Sequence, residues 1–225
     1  ATGSDYGVSI GYNARSASHS TVAIGREAGL SGSGSESTTV GAFSYSSGGG
    51  SLALGRSCSA TGNQSTAIGA YASTGGIIGK YAFANDYINN VGDAQQGKYV
   101  LHVSTTNATA IALTSTGTTA SGTNQVNLQN NSAYAFHGTI VARQKASEGT
   151  ASAAWKVEGL IRREGTAGTT VLVNSATTVL DNTPAWGMAL TADTTNGCLK
   201  IEVTGAASTN IRWVATIDTS EVTYA

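Results

Sequence analysis

The chain has 225 residues, enough for one large or two modest domains, and its 29 glycines, single proline and 11% charged residues, with few strong helix formers, argue for an all-β protein. A formal net charge of -1, built from scattered charges of both signs without a basic run to follow a phosphate backbone, excludes nucleic acid as the expected partner. No apolar stretch reaches the roughly 18 residues that span a bilayer, no charged-then-apolar leader is seen, and Ala1 in place of Met suggests a piece of something longer.

The chain repeats from residue 8 onward. An aliphatic residue followed by glycine recurs as Ile10-Gly11, Ile24-Gly25, Val40-Gly41, Leu54-Gly55, Ile68-Gly69 and Ile78-Gly79, at intervals of 14, 16, 14, 14 and 10. Two places before the first five stand Val8, Val22, Thr38, Leu52 and Thr66, so each pair shares one face of a short strand. Glycine suits a tight corner, and the small residue three places later (Ala14, Ala28, Ser44, Cys58, Ala72, Ala82) suits a crowded interior. A unit of about 14 residues is too short to hold a helix but long enough for two short strands and two turns, one coil of a parallel β-roll. The SGSGSES stretch is expected to bulge one coil, and the 10-residue interval before Gly79 to end the roll. So thin a roll has little room for a private core. A homotrimer is therefore expected, with aliphatics such as Ile24, Leu54 and Ile68 turned inward, within each coil or near a seam between chains.

STVAIG at Ser20 to Gly25 and STAIG at Ser65 to Gly69 resemble the head repeats of trimeric autotransporter adhesins, over roughly residues 6 to 84. The resemblance implies a left-handed parallel β-roll with three chains side by side. Similar repeats also occur in phage tail fibres.

After Ala84 the spacing stops, and NDYINNVGDAQQG reads as a polar connector. The segments KYVLHVS, ATAIALT, AYAFHGTIVAR, AAWKVEGLIRR, TTVLVNS, WGMALTA, CLKIEVTG and NIRWVATI then alternate apolar with polar residues between turns. Strands at this spacing predict a β-sandwich or jelly-roll-like domain over 85–225, following a roll domain over 1–84. Ile211, Trp213, Ala215 and Ile217 share one face, as do Trp155, Val157 and Ile161, with Lys156, Glu158 and Arg162 on the other. AYAFHGTIVARQ, AAWKVEGLIRREG and TNIRWVATIDTSEV look like C-terminal domains of phage tail-fibre proteins, over roughly residues 97 to 225. That resemblance implies a distal trimeric domain of an extracellular virion tail. Its implied partners are other tail proteins and a bacterial surface glycan or outer-membrane protein. It carries no agreed ligand residues.

Chemistry-bearing residues are sparse. His19, His102 and His137 are scattered, Cys58 and Cys198 lack neighbours at ligand spacing and read as small buried residues, and neither metal nor cofactor is expected. No nucleophile elbow or phosphate loop occurs. Glu158 with Glu164, and Asp181 with Asp193, are the carboxylates that a glycan-cleaving site would draw on; the former belong to a charged face that reads as solvated. The expectation is a structural and receptor-binding fibre module that is not an enzyme, set against a polysaccharide-degrading tailspike or the head of a bacterial surface adhesin. Candidate binding residues are Trp186, a stacking platform after the DNTPA turn or a core residue alternating with Met188, and the post-glycine aromatics Tyr12, Phe43 and Tyr71. Recognition is expected in the later domain, whose turns SEGTAS, REGTAGT, LDNTPAW and ADTTNG could converge at one end.

Overall fold

The computed structural model describes residues 6–224. Their fold is all-β, relieved only by a short 3-10 turn at Ala167–Thr169. The chain divides into two compact units, Ala1–Gly97 with Glu221–Ala225, and Lys98–Ser220.

The first unit is a β-solenoid of about six turns. Its strands are β1 (Val8–Ile10), β2 (Val22–Ile24), β3 (Thr38–Val40), β4 (Tyr45–Ser46), β5 (Leu52–Arg56), β6 (Ser59–Ala60), β7 (Thr66–Ala70) and β8 (Tyr81–Ala84). β1, β2, β3, β5, β7 and β8 stack in parallel as the rungs of one wall, while β4 and β6 pair on another. Register is strict: Val8, Val22, Thr38, Leu52, Thr66 and Tyr81 lie one above the next.

The corners explain the repeating glycine. Gly11, Gly25, Gly41, Gly55 and Gly69 hold φ of 126°, 131°, 125°, 128° and 103°, a region that L side chains rarely enter. A Cβ on any of the first four would also run into the backbone carbonyl of the corresponding glycine in the next coil. Two places on, Asn13, Glu27, Phe43, Ser57 and Tyr71 are left-handed, with φ between 53° and 63°. Coil-to-coil bonds hold them there: Glu27 N–H donates to the Tyr12 carbonyl at 2.8 Å, Phe43 to Arg26 at 2.9 Å and Tyr71 to Arg56 at 2.8 Å.

Of the two placements expected for the aliphatics, within each coil or near a seam between chains, the first does not hold. The middle residue of each rung points inward, so Ala23, Thr39, Ala53, Ala67 and Ala82 are buried. The flanking aliphatics face out, with Ile10 57% and Leu54 41% exposed and Ile24 and Ile68 half-buried. The cause is width. The opposite wall brings Ala28, Ser44, Cys58 and Ala72 into the same interior, and at close-packed density only small side chains fit between walls so near. The last coil also differs. Thr66 pairs with Tyr81 and Gly69 with Ala84, a coil of 15 residues rather than 10, and Ile78-Gly79 lies in the corner before it, where Gly79 has φ 72°.

Residues beyond the sixth rung close this unit. The first residues of β9 (Ala94–Thr105) and the last of β17 (Ile211–Thr223) belong to it. Lys80 Nζ meets Glu221 Oε2 at 2.6 Å with both side chains at most 3% exposed. Gln95 donates to the same oxygen at 2.7 Å and clasps the Ser73 backbone, accepting from its N–H and donating to its carbonyl, each at 2.9 Å. The buried Asp93 carboxylate accepts from the N–H groups of Ile88, Asn89 and Asn90 at 2.9, 2.7 and 2.8 Å.

The second unit adds β10 (Ile111–Ala112), β11 (Val126–Asn127), β12 (Ser132–Gln144), β13 (Ser152–Arg163), β14 (Val171–Asp181), β15 (Gly187–Asp193) and β16 (Cys198–Thr204). One sheet runs β9-β17-β12-β13-β14, and a second runs β10-β16-β11 with β15 also on β16. Each alternating segment of the sequence forms a strand, and the two-residue β11 is the one it did not announce. Alternation also sets the faces as expected: Tyr134, Ile140, Trp155, Val157, Ile161, Ile211, Trp213 and Ile217 are buried together with Leu199, Ile201 and Val203 of the second sheet. Lys156, Glu158 and Arg162 are exposed. Trp213 stacks on Trp155 at 5.9 Å and satisfies its indole N–H on Thr105 Oγ1 at 2.9 Å, as a buried donor must.

Candidate functional site

Two surfaces of the solenoid follow directly from its register. The outward positions of the rungs form two columns, Val8, Val22, Thr38, Leu52, Thr66 and Tyr81 in one and Ile10, Ile24, Val40, Leu54, Ile68 and Phe83 in the other. Eight of these twelve side chains are aliphatic and two aromatic. A contiguous apolar wall of this kind marks an interaction surface.

The second surface is the corner after each rung. It carries Tyr12, Arg26, Phe43, Arg56 and Tyr71 in five successive coils, an alternation of aromatic and cation. The Arg26 guanidinium lies 4.9 Å over the Phe43 ring and that of Arg56 5.2 Å over Tyr71, geometries that favour cation–π attraction. Tyr71 also packs on Tyr87 at 4.3 Å, while Tyr12 stands 70% exposed. The structure thus gathers three of the four aromatic candidates along one edge. The two arginines that complete the ladder were missed, although their place immediately after the repeat glycine is the signal that would have found them.

Trp186 lies in the second unit and is only 5% exposed. Its ring packs 5.7 Å from that of Trp213. Its backbone N–H donates to Asn182 Oδ1 at 2.9 Å, and its carbonyl accepts from Asn182 Nδ2 at 2.8 Å. Trp186 anchors the DNTPA turn to the core, and a stacking platform would need a ring face it does not offer.

The carboxylates are dispersed. Glu158 is exposed on β13, in register with His137 of β12 and Ala176 of β14. Glu164 lies 3.9 Å from Arg162 in an exposed pair. Asp181 accepts from the Thr183 N–H and hydroxyl at 3.2 and 2.9 Å. Asp193 accepts from Thr195 and Asn196 within its own turn at 2.8–3.0 Å. Burial raises the Asp193 carboxyl, but the bonds from Asn196 and Thr195 outweigh it and leave the group below the ordinary carboxylate range. Burial pushes both thiols up, that of Cys198 to about 12, so both stay protonated at neutral pH. Among the described residues no three His, Cys, Asp or Glu side chains gather as a metal site.

No protein-family model matches the chain, and no curated protein matches it. Among solved structures it is similar to the tailspike protein gp49 of Acinetobacter baumannii bacteriophage Fri1, a capsular polysaccharide depolymerase. That match covers 96% of this chain and 36% of the other, at 11% identity and a TM-score of 0.34. It is similar also to the tailspike protein of Acinetobacter phage vB_ApiP_P1, over 98% of this chain and 45% of the other, at 10% identity and a TM-score of 0.28. The chain therefore spans less than half the length of either tailspike. The expectation that it is not an enzyme is corrected here, because a structure it resembles is a depolymerase. The likeness assigns no residue of this chain a role.

Proposed function

We propose that the chain is a homotrimeric module of a bacteriophage tail appendage that attaches the virion to a bacterial surface glycan. In this reading the solenoid is a left-handed, laterally packed shaft, and the second unit is a distal β-sandwich whose loops meet the receptor. The observation that carries it is the wall of outward aliphatics. Fully burying one Val, Leu or Ile side chain is worth about 1.5–3 kcal/mol, and partly exposed ones on each of the first five rungs leave a large gain unrealised in a single chain. Three copies placed about a common axis, each turning this wall toward its neighbours, would realise it. The resemblance of the repeats to adhesin heads supports the same arrangement.

Sedimentation equilibrium together with adsorption to encapsulated and capsule-free bacteria tests the proposal. The expected result is a species of three 22.6 kDa chains that adsorbs to the encapsulated strain alone. A stable monomer, or adsorption indifferent to the capsule, overturns it. Assay of new reducing ends in the same incubation separates attachment from cleavage of the glycan.

A further inference from the structure

The attachment reading leaves the class of glycan open, and one cleft in the second unit speaks to it. Resting on that reading, we propose that this cleft holds the acidic group of an anionic surface sugar, a carboxylate or a phosphate ester, between Arg143, Arg212 and Lys145.

The cleft has a volume of about 500 Å³ and lies where β9 and β12 end and β17 begins, within the size range of small-ligand sites. The Lys145 N–H donates to the Asn210 carbonyl at 2.8 Å, and the Thr139 and Thr216 hydroxyls meet at 3.2 Å. Both contacts fix one antiparallel register between β12 and β17, and that register sets Arg143 opposite Arg212. Their chain neighbours Ala142, Ile211 and Trp213 are buried while both arginines are exposed, so the two guanidinium groups emerge on the same face.

Like charges directly opposite one another on a sheet are destabilising. Elsewhere on this face the neighbours complement each other, as in the Lys98–Asp218 ion pair at 2.8 Å and the Thr139–Thr216 contact. The chain has only 12 lysines and arginines, and three of them line this cleft.

The protein does not compensate that charge fully. Arg143 Nη1 donates to the Ala151 carbonyl at 3.1 Å. Lys145 lies 3.7 Å from Glu148, the acidic group of the SEGTAS turn. Glu148 is itself engaged by the Asn210 backbone N–H at 2.8 Å and by the Asn210 side-chain amide. Among the described residues, the three cations that line the cleft have one carboxylate, Glu148, in an ion pair with them. A guanidinium fork matches carboxylate and phosphate oxygens in bidentate fashion, so an anion seated between Arg143 and Arg212 would relieve their repulsion. A neutral sugar would not. The amides of Gln144 and Asn210 at the same cleft are suited to sugar hydroxyls.

The test is calorimetric titration of the full chain with four probes: an oligogalacturonate, a neutral galactose oligosaccharide of equal length, a hexose phosphate and inorganic phosphate. At least one acidic saccharide should bind about tenfold or more tightly than the neutral one, a difference of about 1.4 kcal/mol, and the first and third probes separate carboxylate from phosphate. Arg143→Gln and Arg212→Gln should each weaken that binding about tenfold while leaving the melting temperature unchanged or slightly raised, because a repulsion has been removed. Equal binding of acidic and neutral saccharides, binding of inorganic phosphate with no preference for the acidic sugars, absence of binding, or full affinity in both variants overturns the proposal. Adsorption to encapsulated cells that survives both substitutions would sink this site and leave the attachment reading standing. Saccharide binding at the cleft by a chain that does not adsorb would do the reverse.

Discussion

Gly55 holds φ 128° beneath the carbonyl of Gly69, so Gly55→Ala should strain the backbone by about 1–3 kcal/mol, before the contact with the next coil is counted. Thermal melting checks this, with an expected fall of about 5 °C or more for a chain of this size. The interior is equally intolerant. Ala53 is fully buried between walls lined with Ala and Cys, and Ala53→Leu should cost about 1–3 kcal/mol through overpacking. Asp93 makes a prediction in pH. Burial raises its carboxyl, but the three N–H donors from Ile88, Asn89 and Asn90 prevail and hold it below the ordinary carboxylate value. A depressed folded value means a stabilisation fully present above the unfolded value of roughly 4 and lost as pH falls through the folded one. Melting curves from pH 7 to pH 2 should therefore show a fall below about pH 4 that is smaller in Asp93→Asn. Equal acid sensitivity of the two proteins would exclude Asp93 as a contributor.

At the scale of elements, the solenoid was legible because its corner geometry admits little but glycine, and that constraint prints itself on the sequence every 14 to 16 residues. Which face turned inward was not legible. A rung such as Val22-Ala23-Ile24 alternates whichever way it is rolled, and the rule that large apolar groups go inside presumes an interior wide enough to take them. Here Ala23 fits and Ile24 does not. Ile78-Gly79 misled for a related reason: Gly79 serves the opposite corner, and the true sixth rung reads Tyr81 to Ala84, without an aliphatic-Gly pair. Period-2 alternation sufficed in the longer strands of the second unit, while Val126–Asn127 was too short to show it. Trp186 alternates with Met188 on a strand entry, and its burial was the plainer of the two readings. The Arg143–Arg212 pairing was invisible, since it depends on a register between strands 69 positions apart. The end of the solenoid supplies an element-scale expectation. Lys80→Met leaves Glu221 buried without its cation, and removing one partner of a buried pair costs about 3–5 kcal/mol. Replacing both by Lys80→Met with Glu221→Leu should recover part of the loss, and denaturant unfolding of the two variants measures the difference.

For the whole molecule, the outward aliphatics separate folding from assembly. Leu54→Asp combined with Ile68→Asp places charge on the outer wall without touching the Ala53 and Ala67 interior. The expected outcome is a folded chain, by its β-sheet circular dichroism, that sediments as a monomer at concentrations where the parent is expected to sediment as the proposed trimer. Loss of the sheet signal would instead place these side chains in the chain's own core.

The Lys80–Glu221 contact has a consequence for synthesis. The two partners are separated by 141 residues, and at 5–20 residues per second the second emerges from the ribosome roughly 7–28 seconds after the first. Throughout that interval the Lys80 ammonium of the sixth coil is made and Glu221, the carboxylate that meets it at 2.6 Å in the folded chain, is not. The solenoid is therefore begun before the second unit is made and completed only after it, and a nascent chain released before Glu221 keeps an open end on its stack of coils. Completion of the last coil is thereby tied to translation having passed through the second unit.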